Sequence, residues 1–272
     1  MGRPIRSSPS GDRGIRATPA HRPDHRKRLI YPRPAIPCRA SWRSCLPSPT
    51  LGFSVSFEWT IIVSFSSPGT YIIGPTNQEI LLPEPEHSPV YYTLISVDDH
   101  LVEPPNMFDG RLPKALQDQA PRLIVNERGH QVWSFDGQIF SQVGMNAVAG
   151  RKPELRSLEP ARFEDMRRGC WDIDERIKDM DLIGCWASLN FPSQVAGFAG
   201  RIFSAASNPE VGLATMRAWN DWLYEEWWQK YPERIIPCGI TWLAPGPDGT
   251  ARLGADEIRR NAERGFVSVT LP

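Results

Sequence analysis

Asp98, Asp99, His100 and Glu103 fall together between the apolar run of residues 94–97 and the pair Pro104 and Pro105. Carboxylate oxygens and an imidazole nitrogen are donors that a divalent metal ion accepts, and the apolar run ahead of them reads as a short buried strand. Side chains two apart on an extended chain point the same way, so Asp98 and His100 share one face and Asp99 takes the other. Spacing alone leaves two readings open: a metal pair at the carboxyl end of a strand, or a polar strand end running into a Pro-terminated loop.

Further landmarks follow in order: Arg176 to Asp181, a strand ending at Phe191 with Pro192 behind it, Asn220-Asp221-Trp222-Leu223, and Tyr231-Pro-Glu-Arg-Ile-Ile-Pro. Together with Asp-x-His-x-x-Glu-Pro, this series over residues 92–272 resembles the amidohydrolase-related family. That is the branch of the amidohydrolase superfamily with the aminocarboxymuconate semialdehyde decarboxylase-like enzymes. The resemblance implies a TIM-like (β/α) barrel with Asp98 and His100 as ligands of a divalent metal, zinc foremost and manganese as the alternative. It implies that Glu103 supports those ligands or the local structure, and that Phe191 and Pro192 border a pocket for a small-molecule substrate. The chemistry implied is hydrolysis of a C–N or C–O bond by metal-activated water, with non-oxidative decarboxylation of an aromatic or muconate-type acid as the alternative.

Complete members of that family add a His after the fifth strand, another after the sixth and an Asp at the end of the eighth. The remaining histidines, His21, His25, His87 and His130, do not stand in such places. The resemblance therefore implies an N-terminal half, with the catalytic acid/base group beyond Pro272 and no turnover by this chain alone. A reading of another class is a non-catalytic half-barrel that assembles with a partner, including a second copy.

Periodicity and turn residues mark the helices and strands around these side chains. Asp172 with Glu175 is a capping-box-like helix start, Ile173, Ile177 and Met180 form an apolar stripe, and Gly184 offers a left-handed stop. A strand over 185–191 and a long helix from Asn208-Pro209 to about Tyr231 follow, with Leu213, Met216, Trp219, Leu223 and Trp227 inward. A third strand is expected over 234–243, a helix over 256–264 with Ile258 and Ala262 inward, and a fourth strand over 266–271. Between the first strand and Cys170, three β-rich runs near 122–125, 130–135 and 138–142 predict an antiparallel meander. Asp136-Gly137 joins the last two, because a type I′ turn needs positive φ at both central residues. The fold class read from the sequence is thus α/β: about four of eight barrel strands, with a meander inserted after the first.

Residues 1–89 read differently. The formal net charge is zero, with 31 basic and 31 acidic residues, yet residues 1–46 carry 11 of the former and 2 of the latter. A Pro-, Arg- and Ser-rich head without apolar periodicity is expected to be disordered and separable from a folded body at 90–272. An Arg-rich start also fits a transit sequence or a nucleic-acid-binding tail, but it lacks the aromatic interleaving and helical amphipathicity those need, so no nucleic-acid partner is expected. Residues 51–73 are apolar but interrupted by Glu58 and several Ser, short of the ~20 residues a membrane span requires. Five cysteines without metal-knuckle spacing read as free thiols of a reducing, cytoplasmic compartment, Cys185 and Cys238 buried beside strands.

Overall fold

The computed structural model describes residues 73–87, 90–141, 143–144, 147–156 and 161–272; the readings for the basic head and for residues 51–72 lie outside them. The order is β1 (Leu94–His100), β2 (Arg122–Val125), β3 (Gln131–Phe135), β4 (Gln138–Phe140), α1 (Ile173–Ile183) and β5 (Cys185–Phe191). There follow α2 (Arg201–Ser204), α3 (Pro209–Trp222), β6 (Ile235–Ile236), β7 (Cys238–Gly239), α4 (Arg252–Glu263) and β8 (Ser268–Val269).

The parallel strands follow one another in chain order. A three-stranded sheet runs β1-β5-β6 and a two-stranded one β7-β8. Pro237 separates β6 from β7; lacking an N–H, it cannot continue a ladder, so the strand expected over 234–243 is split between the two sheets. The fourth strand is likewise short, although Thr270 N–H still donates to the Gly239 carbonyl at 2.9 Å. The fold is therefore mixed α/β with parallel pairing, and among the described residues these strands do not close into a barrel.

β1 differs from its expected burial. Leu94 and Ile95 are each 50% exposed and Val97 is 68% exposed, because β1 is an edge with β5 as its one neighbour among the described residues. Its register against β5 also slips: three steps from Ser96 to Asp99 span two from Ser188 to Asn190. An extra residue of this kind re-aims the side chains around it, here at the approach to Asp98.

Helix ends follow the local sequence. Asp172 accepts hydrogen bonds from the N–H groups of Asp174 and Glu175, and Gly184 closes α1 at φ 73°. Asn208 caps α3, whose last turn loosens into a π-helical one, Leu223–Trp228, with Gln229 N–H bonding back to Tyr224. Of the expected inward residues, Met216, Trp219, Leu223 and Trp227 are buried and Leu213 is half-buried.

α4 departs from the amphipathic reading. It begins at Arg252, before the expected start, and Ile258 and Ala262 are exposed, whereas Gly254, Glu257 and Asn261 are buried. Polar side chains face inward because α3 supplies their partners: Asn220 Nδ2 donates to Glu257 at 2.9 Å and to the Ile240 carbonyl at 2.9 Å. Asn220 Oδ1 accepts from Ile240 N–H at 3.0 Å. Gly254 permits the approach, since a Cβ there would lie 2.4 Å from the Trp242 carbonyl oxygen.

The insertion forms the antiparallel meander β2-β3-β4, and Asp136 and Gly137 turn it at φ 50° and 71°. β3 is its buried strand: Trp133 packs edge-on to Phe108 at 5.8 Å, and Phe135 to Phe203 of α2 at 5.7 Å. Before β1, described residues between 73 and 87 rest on this body. Leu81 is buried and bridges to Arg151, and Arg167 holds both Glu84 and Asp179. No helix among the described residues is long and apolar enough to cross a membrane.

Candidate functional site

Asp98 and His100 leave β1 on one side, their Oδ1 and Nε2 atoms 3.8 Å apart, with side chains 86% and 63% exposed. His100 Nδ1 lies 3.1 Å from the Pro192 carbonyl. A carbonyl oxygen can only accept, so Nδ1 carries the proton and Nε2 of the neutral ring presents its lone pair beside the Asp98 carboxylate. The Phe191 ring packs against the His100 imidazole at 5.7 Å between centroids. Thus Pro192 aims His100 through its main chain, and Phe191 limits the ring's swing.

Asp99 points the other way and is held by four contacts. Both its oxygens accept from Arg176 Nη1 at 3.1 Å, one from Ser188 Oγ at 2.7 Å, and one from His100 N–H at 3.0 Å. Arg176 Nη2 also donates to the His100 carbonyl. Behind Ser188 the chain continues: Asn190 Nδ2 donates to Ser188 Oγ at 2.7 Å, and Trp227 Nε1 donates to Asn190 Oδ1 at 2.9 Å. Sequence reading missed Ser188 and Asn190; two polar residues at alternate positions inside an otherwise apolar strand were the available signal.

Glu103 is fully buried. Its carboxylate accepts from Ser193 N–H at 3.0 Å, from Trp219 Nε1 at 2.9 Å and from Ser193 Oγ. Burial pushes its pKa above the usual carboxylate range, against the opposing pull of those donors. Glu103 reaches neither Asp98 nor His100 by a hydrogen bond shown here; it anchors Ser193, the residue after the carbonyl that orients His100.

These groups border a cavity of about 500 Å³ lined by Asp98, His100, Cys170, Arg176, Pro192 and Phe198, among others. Phe191 packs against His100 and is not in that lining, and the meander strands also stay outside it, whereas Ala147 and Ala149 belong to it. Cys170 is no ready nucleophile, because burial pushes its thiol up to about 11.

The donor set suits a hard or borderline divalent cation: one carboxylate oxygen, and one imidazole nitrogen whose tautomer is fixed from behind. Among the described residues no three His, Cys, Asp or Glu side chains converge to hold a metal. Asp98 and His100 are therefore a two-donor platform. The other landmarks are structural: Arg234 binds Asp181 and the carbonyls of Trp186 and Cys185, and Asp221 receives Arg260 of α4 and Arg264 just beyond its end.

No known family's sequence model matches the chain, and no curated protein matches it. Among solved structures it is similar to an amidohydrolase from Mycobacterium avium subsp. paratuberculosis K-10, at 20% identity and a TM-score of 0.47. The likeness covers 66% of this chain and 50% of that one, so the chain spans half the length of the structure it matches.

Proposed function

We propose that the chain carries part of a metal-dependent hydrolase site of the amidohydrolase type, with Asp98 and His100 as its metal ligands. The observation that carries the proposal is the pairing of the two donors at 3.8 Å, with His100 Nε2 freed for coordination by the Pro192 carbonyl on Nδ1. A bound divalent ion, zinc or manganese, would supply Lewis acidity, acidifying water and polarising a carbonyl or carboxylate. The chain's own residues do the rest: Pro192 fixes the imidazole, Glu103 fixes Ser193, and the cavity beside them takes a small molecule. Its substrates are amides, lactones or related esters; release of carbon dioxide from an aromatic acid is the alternative outcome of the same site.

The test is equilibrium dialysis with Zn²⁺ and with Mn²⁺. The chain should bind one ion weakly, as two protein donors imply, and Asp98→Ala and His100→Ala should each abolish binding while leaving circular dichroism unchanged. Binding that survives both substitutions removes the proposal. Where turnover is found, hydrolysed product or carbon dioxide decides between the two reactions.

A further inference from the structure

Resting on the metal-pair reading, the geometry points to Arg176 as the positioning residue of the pair, acting through Asp99 and the His100 main chain. Arg176 lies on α1, and its guanidinium crosses to β1, where Nη1 takes both oxygens of Asp99 and Nη2 takes the His100 carbonyl. One planar side chain thereby holds two consecutive residues of a strand that pairs, among the described residues, on one side only. The Arg176 side chain is only 13% exposed, so its orientation is set by packing, and its fork matches contacts that an ammonium makes singly.

The consequence for the pair follows from strand geometry. Successive side chains alternate, so fixing Asp99 on the α1 side fixes Asp98 and His100 on the opposite one. That constraint matters here because β1 carries an extra residue between Ser96 and Asp99, a place where register and side-chain direction are free to slip. Ser188 Oγ adds a second hold on Asp99 from β5, and the chain through Asn190 to Trp227 ties that hold to the end of α3. With Arg176 removed, the end of β1 rotates and His100 Nδ1 leaves the Pro192 carbonyl.

The experiment reads the imidazole directly. Long-range ¹H–¹⁵N spectra of the full chain at alkaline pH, where the ring is neutral, report which His100 nitrogen carries the proton. The wild-type ring should show the Nδ1–H tautomer, and Arg176→Gln a tautomer mixture. Arg176→Lys keeps the charge without the fork and should show the same mixture, and it replaces Arg176→Gln if that variant does not fold. Co²⁺ binding, followed by its visible absorption, should weaken about tenfold to a hundredfold in either variant, the loss typical when groups behind a metal ligand are changed. A folded variant that keeps the wild-type tautomer overturns the inference, whatever its metal affinity. If the tautomer changes while wild-type and His100→Ala bind Co²⁺ equally, the metal reading fails and the positioning role stands.

Discussion

Two acidic clusters in this molecule stand in opposite conditions. Between α3 and α4, Glu257 is fully buried, and Asn220, Asn261, Arg217 and Arg260 all donate to its carboxylate. At the carboxyl end of β1, Asp98 is 86% exposed and its nearest charged or chargeable partner is the His100 ring at 3.8 Å, too far for a hydrogen bond. A buried carboxylate with this many donors is already committed to holding two helices together. An exposed carboxylate beside an oriented imidazole has its coordination left for something else. The contrast predicts that the first cluster governs stability and the second governs ligand binding.

The largest effect should come from breaking the first. Glu257→Ala strips partners from Asn220, Asn261 and Arg260 at once, leaving a cationic group half-buried and two amides short of an acceptor. A loss of about 3 kcal/mol is expected from urea unfolding, the low end for breaking a buried pair because Arg217 and Arg260 keep some contact with water. No change in metal affinity should accompany it.

Glu103 lies between the two conditions, buried like Glu257 yet adjoining the site. Its raised folded pKa means that the native state holds the proton more tightly than the unfolded chain, whose value is near 4.5. Its contribution to stability is therefore fullest below the unfolded value, declines as pH rises to the folded one, and is constant above it. The stability difference between wild type and Glu103→Gln, from urea titrations at pH values from 4 to 8, should shift against the wild type across that window and then level. A difference independent of pH would refute it.

Smaller effects should come from the helix ends. Gly184→Ala places a Cβ at φ 73°, and Asp172→Ala removes the acceptor for two N–H groups; each should cost about 1 kcal/mol in thermal or urea unfolding. Neither should alter the His100 tautomer, and a tautomer change in either variant would show that α1 as a whole, rather than Arg176, governs the end of β1.

These helix ends are also where the sequence was most legible. Asp172, Gly184, Asn208 and the Asp136-Gly137 turn act on the main chain within a few residues of themselves, so neighbouring residues suffice to find them. The strand Cys185–Phe191 was visible for a related reason, being a β-rich run bounded by Gly184 and Pro192. α4 was misread because periodicity assumes that the inward face is apolar; here Glu257 and Asn261 face inward to meet Asn220, a residue on another helix. β1 was misread for the complementary reason: Leu94, Ile95 and Val97 have the composition of a buried strand, but burial also needs a second neighbour, which composition does not report. At the site, alternation alone separated Asp98 and His100 from Asp99. The carbonyl of Pro192 that accepts from His100, the anchoring of Ser193 by Glu103 and the grip of Arg176 all join residues 77 to 92 positions apart, beyond any local pattern.

The smallest effect on stability should come from the pair itself. Asp98→Ala removes a side chain that packs against almost nothing, and His100→Ala removes one ring contact with Phe191 and one hydrogen bond to Pro192. Exposed positions of this kind change stability by no more than about 0.5 kcal/mol for the carboxylate, and by about 1 kcal/mol where a hydrogen bond is lost. Residues kept only for folding would show the reverse order, with the loss in stability exceeding the loss in binding. Urea unfolding and Zn²⁺ dialysis on the same two variants measure both quantities. Near-wild-type unfolding with binding abolished places the pair's role in the ligand; a loss of about 3 kcal/mol, matching Glu257→Ala, would place it in the scaffold and dissolve the distinction between the two clusters.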